Sequence, residues 1–203
     1  LGELQHRVKN LLMNVRALSQ LTAQGSSTLE SFTEAFDARL DVMARTQDLL
    51  VRGTGDTARL DEIIRLELQA IGAREGSTFR SQGPEVELSA RAAHAFAMTI
   101  HDLATNAAKY GALSKQAVNG CIVIAWNADP VEGNETRLNF TWKEHGLRVP
   151  PARRRTGFGT QIVETSLPYL FGGSSTLTFD RDGVNCAIHG AFPEEDLRIR
   201  RAE

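Results

Sequence analysis

Two stretches near the start of the chain repeat apolar residues at helical spacing. In the first, the steps alternate between four and three residues, at Leu4, Val8, Leu11, Val15 and Leu18, with Leu12 and Leu21 beside them. The second stretch has apolar residues at Phe32, Phe36, Leu40, Met43 and Leu50. Because neither predicted helix can cover its apolar face alone, we expect an antiparallel hairpin that pairs with another copy as a four-helix bundle.

The connection between the two predicted helices is short and polar. Residues 24–27 contain Gly25 and two serines, which end the first helix. Ser31 is followed three residues later by Glu34, a spacing that fits a capping box at the start of the second helix.

The pattern changes after the turn-rich residues 53–57, where we place the end of a first domain. Beyond them, helices are predicted at 60–71, 90–110 and 159–170, and strands at 78–80, 86–88, 121–126, 136–143, 174–179 and 184–192. Ser89 can cap the long helix, Gly111 can serve as its C′ residue, and the last ten residues are predicted to be frayed. The fold class is therefore α+β, with a helical hairpin at 1–54 followed by an α/β sandwich at 55–203.

Composition narrows the classes of function. The chain has 203 residues, of which 24% are charged, and its net charge of −2 indicates neither nucleic acid nor an anionic membrane surface as a partner. No apolar run approaches the ~18 residues that span a bilayer. Cys121 and Cys186 lack a CxxC or CxxH partner, so we expect buried thiols in a reducing compartment and a cytoplasmic location. Because residue 1 is not Met and already lies in a helical pattern, we expect a fragment.

His6 lies on the polar side of the first predicted helix. At about 100° per residue, it falls near 200° from Leu4, away from the apolar seam. A solvent-facing imidazole keeps one nitrogen available as a nucleophile near neutral pH. Asn10 lies one turn later on the same face, where its amide could position a water or a phosphoryl oxygen. These residues alone leave open the alternative that both are ordinary solvated side chains.

The long helix predicted at 90–110 presents three polar residues on one face. Asp102, Asn106 and Lys109 occupy positions i, i+4 and i+7. An acid that orients an attacking group, a carboxamide oxygen for Mg²⁺ and a cation for phosphate together make a triphosphate site. The alternative is that this face is simply solvated. However, the small and apolar residues around it are not typical of a purely solvated helix.

Two later stretches add groups that suit a nucleotide. Glu144 follows a predicted strand, close to Gly146, where its carboxylate can accept a hydrogen bond from an adenine amino group. Gly157, Gly159 and Thr160 precede a predicted helix, and glycines at a helix N-terminus let N–H groups approach an anion. Three arginines directly before them could touch phosphates or form a solvated basic loop.

These motifs, in this order, resemble those of the HWE and related HisKA_2 histidine kinases. The stretch from His6 to Leu11 resembles the phosphoacceptor box of that family. His101 and the run Trp142-Lys143-Glu144 resemble the residues for which the family is named, and Gly157-Phe158-Gly159 resembles its G box. The resemblance is collinear and covers nearly the whole chain.

The resemblance implies the transmitter region of a two-component sensor kinase. The hairpin would be the dimerisation and phosphotransfer domain, and the remainder a catalytic domain of the GHKL, or Bergerat, fold. His6 would be the phosphoacceptor, with ATP and Mg²⁺ as cofactors and Asn106 as the metal ligand. The residues expected at the nucleotide are Asn106, Lys109, Tyr110, Glu144, Gly157, Gly159 and Thr160, and those expected to act in catalysis are His6, Asn10 and Asp102.

The resemblance also implies partners and shows two departures. A response-regulator receiver domain would take the phosphoryl group, a second copy would complete the helical bundle, and a sensor domain would lie outside this sequence. Asp102 stands where the family usually has Glu. His145-Gly146-Leu147 stands where a Gly-Gly-Pro-like segment is common, which leaves the geometry of the adenine loop open.

Two other functions stay open at this point. A histidine phosphotransfer adaptor would keep the hairpin and a degenerate ATP-like domain without using ATP, although the retained Asn106, Lys109 and Glu144 argue against it. A GHKL ATPase clamp would hydrolyse ATP to drive a conformational change, but such a clamp has no need of a hairpin that carries a histidine.

Overall fold

The computed structural model describes residues 2–52, 56–147, 173–180 and 182–200, and it contains the predicted helical hairpin. Helix α1 spans Gly2–Gly25 and helix α2 spans Leu29–Arg52. The Ser31 amide donates to Thr28 Oγ1 and the Thr28 amide donates to Ser31 Oγ, both at 3.1 Å. The prediction that Ser31 and Glu34 form the capping box was therefore wrong. The helix begins earlier because Thr28 and Ser31 already satisfy its first amides.

The two helices of the hairpin bury different shares of their apolar residues. On α2, Met43 and Leu50 are buried, and the rings of Phe32 and Phe36 stack with their centroids 5.5 Å apart. On α1, Leu18 is buried, but Leu12, Met13 and Leu21 are 63%, 52% and 41% exposed. A single chain therefore leaves several apolar side chains of α1 uncovered.

The rest of the described chain alternates between strands and helices. After α2 come β1 (Thr57–Arg59), α3 (Leu60–Ala70), β2 (Phe79–Gln82), β3 (Val86–Ser89), α4 (Ala90–Tyr110), β4 (Cys121–Val131), β5 (Glu135–His145), β6 (Ser174–Phe179), β7 (Val184–Pro193) and β8 (Leu197–Ile199). Five strands form one sheet in the order β2-β4-β5-β7-β6, in which only β2 and β4 are parallel. The antiparallel strands β1-β3-β8 form a second, smaller sheet.

The core lies between the larger sheet and the helices α3 and α4. Residues alternate between buried and exposed along β4 and β5, so one face of the sheet is covered. Phe96 of α4 meets Phe140 of β5 edge to face, with ring centroids 6.1 Å apart. This arrangement confirms the predicted α+β class, with a helical hairpin followed by an α/β sandwich.

Three local predictions differ from the structure. Strands were predicted to end at residue 126 and to begin again at residue 136, but β4 and β5 continue to pair as far as Val131 and Glu135. The last ten residues were expected to be frayed, yet β8 pairs with β3, and Leu197 is fully buried. Gly111 follows α4 as predicted, but its φ of −111° is not the left-handed conformation expected of a C′ glycine.

The predicted domain boundary and one predicted helix cannot be compared with the structure. Residues 53–55 and the helix predicted at 159–170 lie outside the described residues. Val42 and Leu50 of α2 belong to the same buried cluster as the core of the α/β part, and the division at residue 54 stays a prediction. No helix in the described ranges is long and apolar enough to cross a membrane.

Candidate nucleotide-binding site

Helix α4 carries the first group of candidate residues, and its start is fixed by a side-chain cap. Ser89 Oγ accepts a hydrogen bond from the Ala92 amide at 3.3 Å, as predicted for a cap at this position. The same hydroxyl donates to Asp196 Oδ1 at 2.7 Å, and the Ser89 amide donates to the Asp196 carbonyl at 3.0 Å. The helix is therefore anchored to the turn before β8.

One face of α4 lines a cleft of about 270 Å³ whose other wall is α2. The lining residues from α4 are His101, Asp102, Thr105, Asn106 and Lys109, and those from α2 are Ser31, Glu34, Ala35, Ala38 and Arg39. The structure thus brings the three polar residues predicted on one face to a single cleft. Asn106 and Lys109 are exposed there, whereas Asp102 is buried.

Asp102 is held by an arginine that sequence analysis did not single out. Arg39 Nη2 lies 3.2 Å from Asp102 Oδ2 and 3.4 Å from Oδ1. Burial raises the pKa of the Asp102 carboxyl above its ordinary value, and the charges of Arg39, His101 and Lys109 act in the opposite direction. The carboxylate therefore belongs to an ion pair between α2 and α4.

His101, the neighbour of Asp102, takes part in a second buried group. Its Nδ1 lies 3.1 Å from Glu67 Oε2, and Arg45 of α2 donates to both oxygens of Glu67, at 3.1 and 2.7 Å. The Glu67 side chain is fully buried. A histidine that the motif places in the nucleotide region thus has an acidic partner from α3.

A signal for Arg39 was present in the sequence. Phe36, Arg39 and Met43 follow each other in steps of three and four, so Arg39 occupies a position on the apolar face of α2. A charged residue at a core-facing position needs a partner, because an unpaired buried charge is strongly unfavourable. No local pattern identifies that partner.

Glu144 is buried near the end of β5, beside the C-terminal end of α4. Its Oε2 accepts from the Ala112 amide at 2.9 Å and its Oε1 accepts from Trp142 Nε1 at 3.2 Å. Burial raises the pKa of Glu144, and these two hydrogen bonds act in the opposite direction. Each carboxylate oxygen keeps a further lone pair for another donor.

Gly111 allows this close approach of the strand to the helix end. A Cβ at position 111 would collide with Glu144 Oε2. Asn106 precedes Gly111 by five residues, which is about 7.5 Å along a helix axis. Glu144 therefore lies at the C-terminal end of α4, about one and a half helical turns from Asn106 along the same helix.

The residues after Glu144 are held by the turn between β6 and β7. Gly146 has a φ of +94°, and its amide donates to Asp182 Oδ1 at 3.0 Å. His145 Nδ1 lies 2.8 Å from Asp182 Oδ2. The hydrogen bond from Gly146 and then that from His145 lower the pKa of Asp182. The segment 145–147 departs from the family pattern, but it keeps a glycine at position 146, where the positive φ favours glycine.

Several predicted site residues lie partly or wholly outside the described residues. The backbones of His6 and Asn10 belong to α1, but their side chains are not described. Gly157, Gly159 and Thr160 are not among the described residues. Tyr110 is half exposed at the end of α4.

The donor set fits a magnesium nucleotide. No group of three or more His, Cys, Asp or Glu within the described ranges could hold a metal ion by itself. Mg²⁺ in nucleotide sites takes one or two protein oxygens and completes its shell with phosphates and waters. The carboxamide of Asn106, exposed on the cleft beside Lys109, is a donor of this kind.

The sequence is similar to histidine kinases. Residues 3–85 match the family model described as HWE histidine kinase. A blue-light-activated histidine kinase of Brucella anthropi is 28% identical over 182 residues, which is 90% of this chain and 36% of that protein. One from Brucella ovis is 30% identical over 184 residues, covering 90% and 37%. The chain therefore spans a little over a third of the length of these relatives.

Solved structures agree in fold. The blue-light activated histidine kinase EL346 of Erythrobacter litoralis matches with a TM-score of 0.59 and 19% identity, over 96% of this chain and 58% of that one. Its separate histidine kinase domain matches with a TM-score of 0.54 and 19% identity, over 93% and 89%. The fold is that of a histidine kinase, with a helical hairpin and a GHKL α/β sandwich.

The matched family model, the Brucella relatives and the shared fold all point to the HWE histidine kinases, so the resemblance that the motifs of this chain indicated is confirmed.

Proposed function

We propose that this chain is the transmitter region of a two-component sensor histidine kinase. In this proposal it uses Mg²⁺ and ATP to phosphorylate its own His6 and passes the phosphoryl group to an aspartate of a response-regulator receiver domain. The observation that carries the proposal is the face of α4, where Asp102, Asn106 and Lys109 line one cleft and Glu144 lies at the end of the helix.

Each of these residues has a role that follows from its position. The buried Glu144 carboxylate accepts a hydrogen bond from the adenine amino group, and its two protein donors fix its orientation. Asn106 offers a carboxamide oxygen to Mg²⁺, and Lys109 offers a positive charge to the phosphates. Bound Mg²⁺ would offset the negative charge of the triphosphate.

The acceptor is His6 on α1. In its neutral form, the imidazole has one nitrogen with a lone pair that can attack the γ-phosphorus of ATP in line, which breaks the bond to the bridging oxygen and releases ADP. Asp102 orients the attacking group in this proposal. Asn10, one helical turn after His6, would hold a water for the reverse reaction, in which the receiver loses its phosphoryl group.

A second copy of the chain is the expected structural partner. Leu12, Met13 and Leu21 of α1 are exposed apolar residues on the hairpin. Packing this hairpin against the hairpin of another copy would cover apolar side chains of this kind in a four-helix bundle. A sensor domain elsewhere in the full protein would act on this bundle.

The test is incubation with γ-labelled ATP and Mg²⁺. The wild-type chain should gain an acid-labile label, His6→Ala should gain none, and both should bind ADP equally. His189→Ala is the matched control, because His189 is an exposed histidine of β7 whose Nδ1 lies 2.8 Å from Asn139 Oδ1. An unlabelled wild type would indicate the phosphotransfer adaptor, and phosphate release without label would indicate an ATPase clamp. Label that persists on His6→Ala would refute the acceptor.

The metal role is tested separately. Asn106→Ala should remove the Mg²⁺-dependent part of the ADP affinity in titration calorimetry while leaving the fold intact, because the side chain is exposed. Asn127→Ala, at an exposed position of β4, is the control. An ADP affinity that still responds to Mg²⁺ in the Asn106 variant would exclude the ligand role.

A further inference from the structure

The larger sheet ends next to Glu144, the residue that the proposed function assigns to adenine. The ladder between β5 and β7 ends at Lys143, which lies opposite Asn185. Glu144 is the next residue along β5, and its partner in the ladder with β4 is Ile122. Strand pairing therefore holds Glu144 on the β4 side, and contacts of another kind have to hold the β7 side.

Asp182, in the turn between β6 and β7, makes those contacts with the chain directly after Glu144. Its Oδ1 accepts from the Gly146 amide at 3.0 Å, and its Oδ2 lies 2.8 Å from His145 Nδ1. The Asp182 carbonyl accepts from the Leu147 amide at 3.1 Å. One residue of the turn thus holds three consecutive residues, through both its side chain and its backbone.

Gly183 brings the same turn against Glu144 itself. It is buried, and a Cβ at position 183 would collide with the Glu144 carbonyl oxygen. The turn therefore packs directly on the backbone of Glu144, and a displacement of the turn would be transmitted to that residue.

Gly146 joins this turn to the loop after α4. The Val118 amide donates to the Gly146 carbonyl at 2.9 Å, while the Gly146 amide donates to Asp182. The loop after α4 also contains Ala112, whose amide donates to Glu144 Oε2 at 2.9 Å. The contacts of Asp182 and the hydrogen bond that orients the Glu144 carboxylate therefore belong to one connected set.

We propose that Asp182 is a positioning residue for adenine recognition, which holds residues 145–147 so that the Glu144 carboxylate keeps the orientation that accepts from the adenine amino group. The inference rests on the proposed function, since it takes Glu144 as the acceptor for adenine. A hydrogen bond weakens steeply as its angle and length depart from the optimum, so a small displacement of the carboxylate lowers affinity. Asp182 acts only through Glu144, and its effect is limited to what that hydrogen bond contributes.

The test compares Asp182→Ala with Asp180→Ala in the full chain. Asp180 is a matched control, because it belongs to the same turn and its side chain accepts from Asn185 Nδ2. The probes, each with Mg²⁺ in titration calorimetry, are ADP and purine riboside 5′-diphosphate, which lacks the amino group. Asp182→Ala should bind ADP about three- to tenfold more weakly, up to the loss of one hydrogen bond to a charged group. It should bind the purine analogue as the wild type does, and Asp180→Ala should match the wild type with both probes.

A double-mutant cycle shows whether Asp182 acts through Glu144. In the Glu144→Gln background, Asp182→Ala should weaken ADP binding by less than about twofold, because residues that act through one contact are not additive. Independent residues would instead give losses that multiply.

A conservative variant separates the contacts of Asp182 from its charge. The carboxamide oxygen of Asp182→Asn can still accept from the Gly146 amide, and its NH₂ group can donate to Nδ1 of a neutral His145. Asp182→Asn should therefore keep most of the ADP affinity that Asp182→Ala loses.

A second readout needs no nucleotide. The chain has two tryptophans, and Trp142 Nε1 donates to Glu144 Oε1 at 3.2 Å, whereas Trp126 Nε1 donates to the Pro84 carbonyl at 2.8 Å. In a ¹⁵N–¹H correlation spectrum, Asp182→Ala should shift the Trp142 indole signal and leave the Trp126 signal in place. Asp180→Ala should shift neither signal, and Glu144→Gln identifies the Trp142 signal.

The Asp182 side chain is 62% exposed, so its truncation should leave the protein folded by circular dichroism. If Asp182→Ala does not fold, His145→Ala replaces it and should give a smaller effect in the same direction, because it removes one of the contacts.

The outcomes separate this inference from the proposed kinase. Equal weakening of ADP and of the purine analogue would overturn the inference, because Asp182 would then only support the fold. Multiplying losses in the cycle, or an unshifted Trp142 signal, would also overturn it. If the wild type binds both nucleotides equally, the adenine role of Glu144 and this inference fail together, while the labelling of His6 decides the kinase independently.

Discussion

Replacing Glu144 by Gln tests the buried carboxylate of the proposed adenine site. The change keeps the size of the side chain and removes one acceptor oxygen. Glu144 accepts from the Ala112 amide at 2.9 Å and from Trp142 Nε1 at 3.2 Å, one donor on each oxygen. A carboxamide has a single oxygen, so it can satisfy one donor and turns its own NH₂ group towards the other.

The expected loss of stability follows from these contacts. A buried donor without an acceptor costs about 1–3 kcal/mol, whereas the neutral amide avoids the cost of burying a charge. We therefore expect a net loss of about 1–2 kcal/mol near neutral pH. Burial raises the pKa of Glu144 above its unfolded value, so its stabilising contribution is present at low pH and is lost as the pH rises through the folded pKa. The difference between wild type and Glu144→Gln should therefore grow as the pH is lowered.

Urea unfolding without nucleotide, at pH 7 and pH 5, measures this difference. The midpoint should shift with an unchanged slope, and Glu135→Gln, at the other end of β5, should leave the midpoint almost unchanged. Titration with Mg²⁺·ADP should show about tenfold weaker binding to Glu144→Gln, the effect of one lost hydrogen bond to a charged group. A Glu144→Gln protein that is as stable as the wild type at both pH values, and binds ADP equally, would refute the reasoning.

Three further predictions concern α1, a glycine and the anchor of α4. Asn10→Ala should keep autophosphorylation but slow dephosphorylation of a phosphorylated receiver about 10²-fold, and equal decay with both proteins would remove Asn10 from the mechanism. Gly146→Ala should lose more stability in urea than Gly133→Ala, because both have positive φ but only a Cβ at 146 meets the backbone of residues 118–120, at 2.8 Å; equal losses would exclude the clash. Asp196→Asn should lower the free energy of unfolding at pH 7 but not at pH 2. Burial alone would raise the pKa of Asp196, but hydrogen bonds from its partners lower it on balance, so its contribution is lost as pH falls through the folded pKa; an equal loss at both pH values would contradict this.

The sequence predicted those elements whose bounds depend on residues close together in the chain. The bounds of α4 and its cap at Ser89 are as expected, because a serine cap and an apolar stripe act within a few residues. The strand β8 was missed because its two apolar residues, Leu197 and Ile199, lie in a short stretch of charged ones. It becomes a strand only by pairing with β3, more than a hundred residues away in sequence.

The same distinction applies to the candidate site. Helical spacing was enough to place Asp102, Asn106 and Lys109 on one cleft. The partner of Asp102 could not be predicted, since Arg39 lies 63 residues away and no periodicity links the two positions. Helical spacing therefore predicted the polar face of α4, and it also predicted α2 as a helix, but no local pattern could predict that α2 packs against that face.

The contacts between Ser89 and Asp196 make the start of α4 depend on a residue that is synthesised late. Ser89 and Asp196 are 107 residues apart in sequence. At ~5–20 residues per second, a ribosome needs about 5–20 s to deliver Asp196 after Ser89. During that interval, every proposed nucleotide residue of α4 already exists, but the start of the helix lacks the contacts that fix it in place. The α/β part can reach its final structure only when nearly all of this sequence has been synthesised, because α4 depends on the residues next to β8.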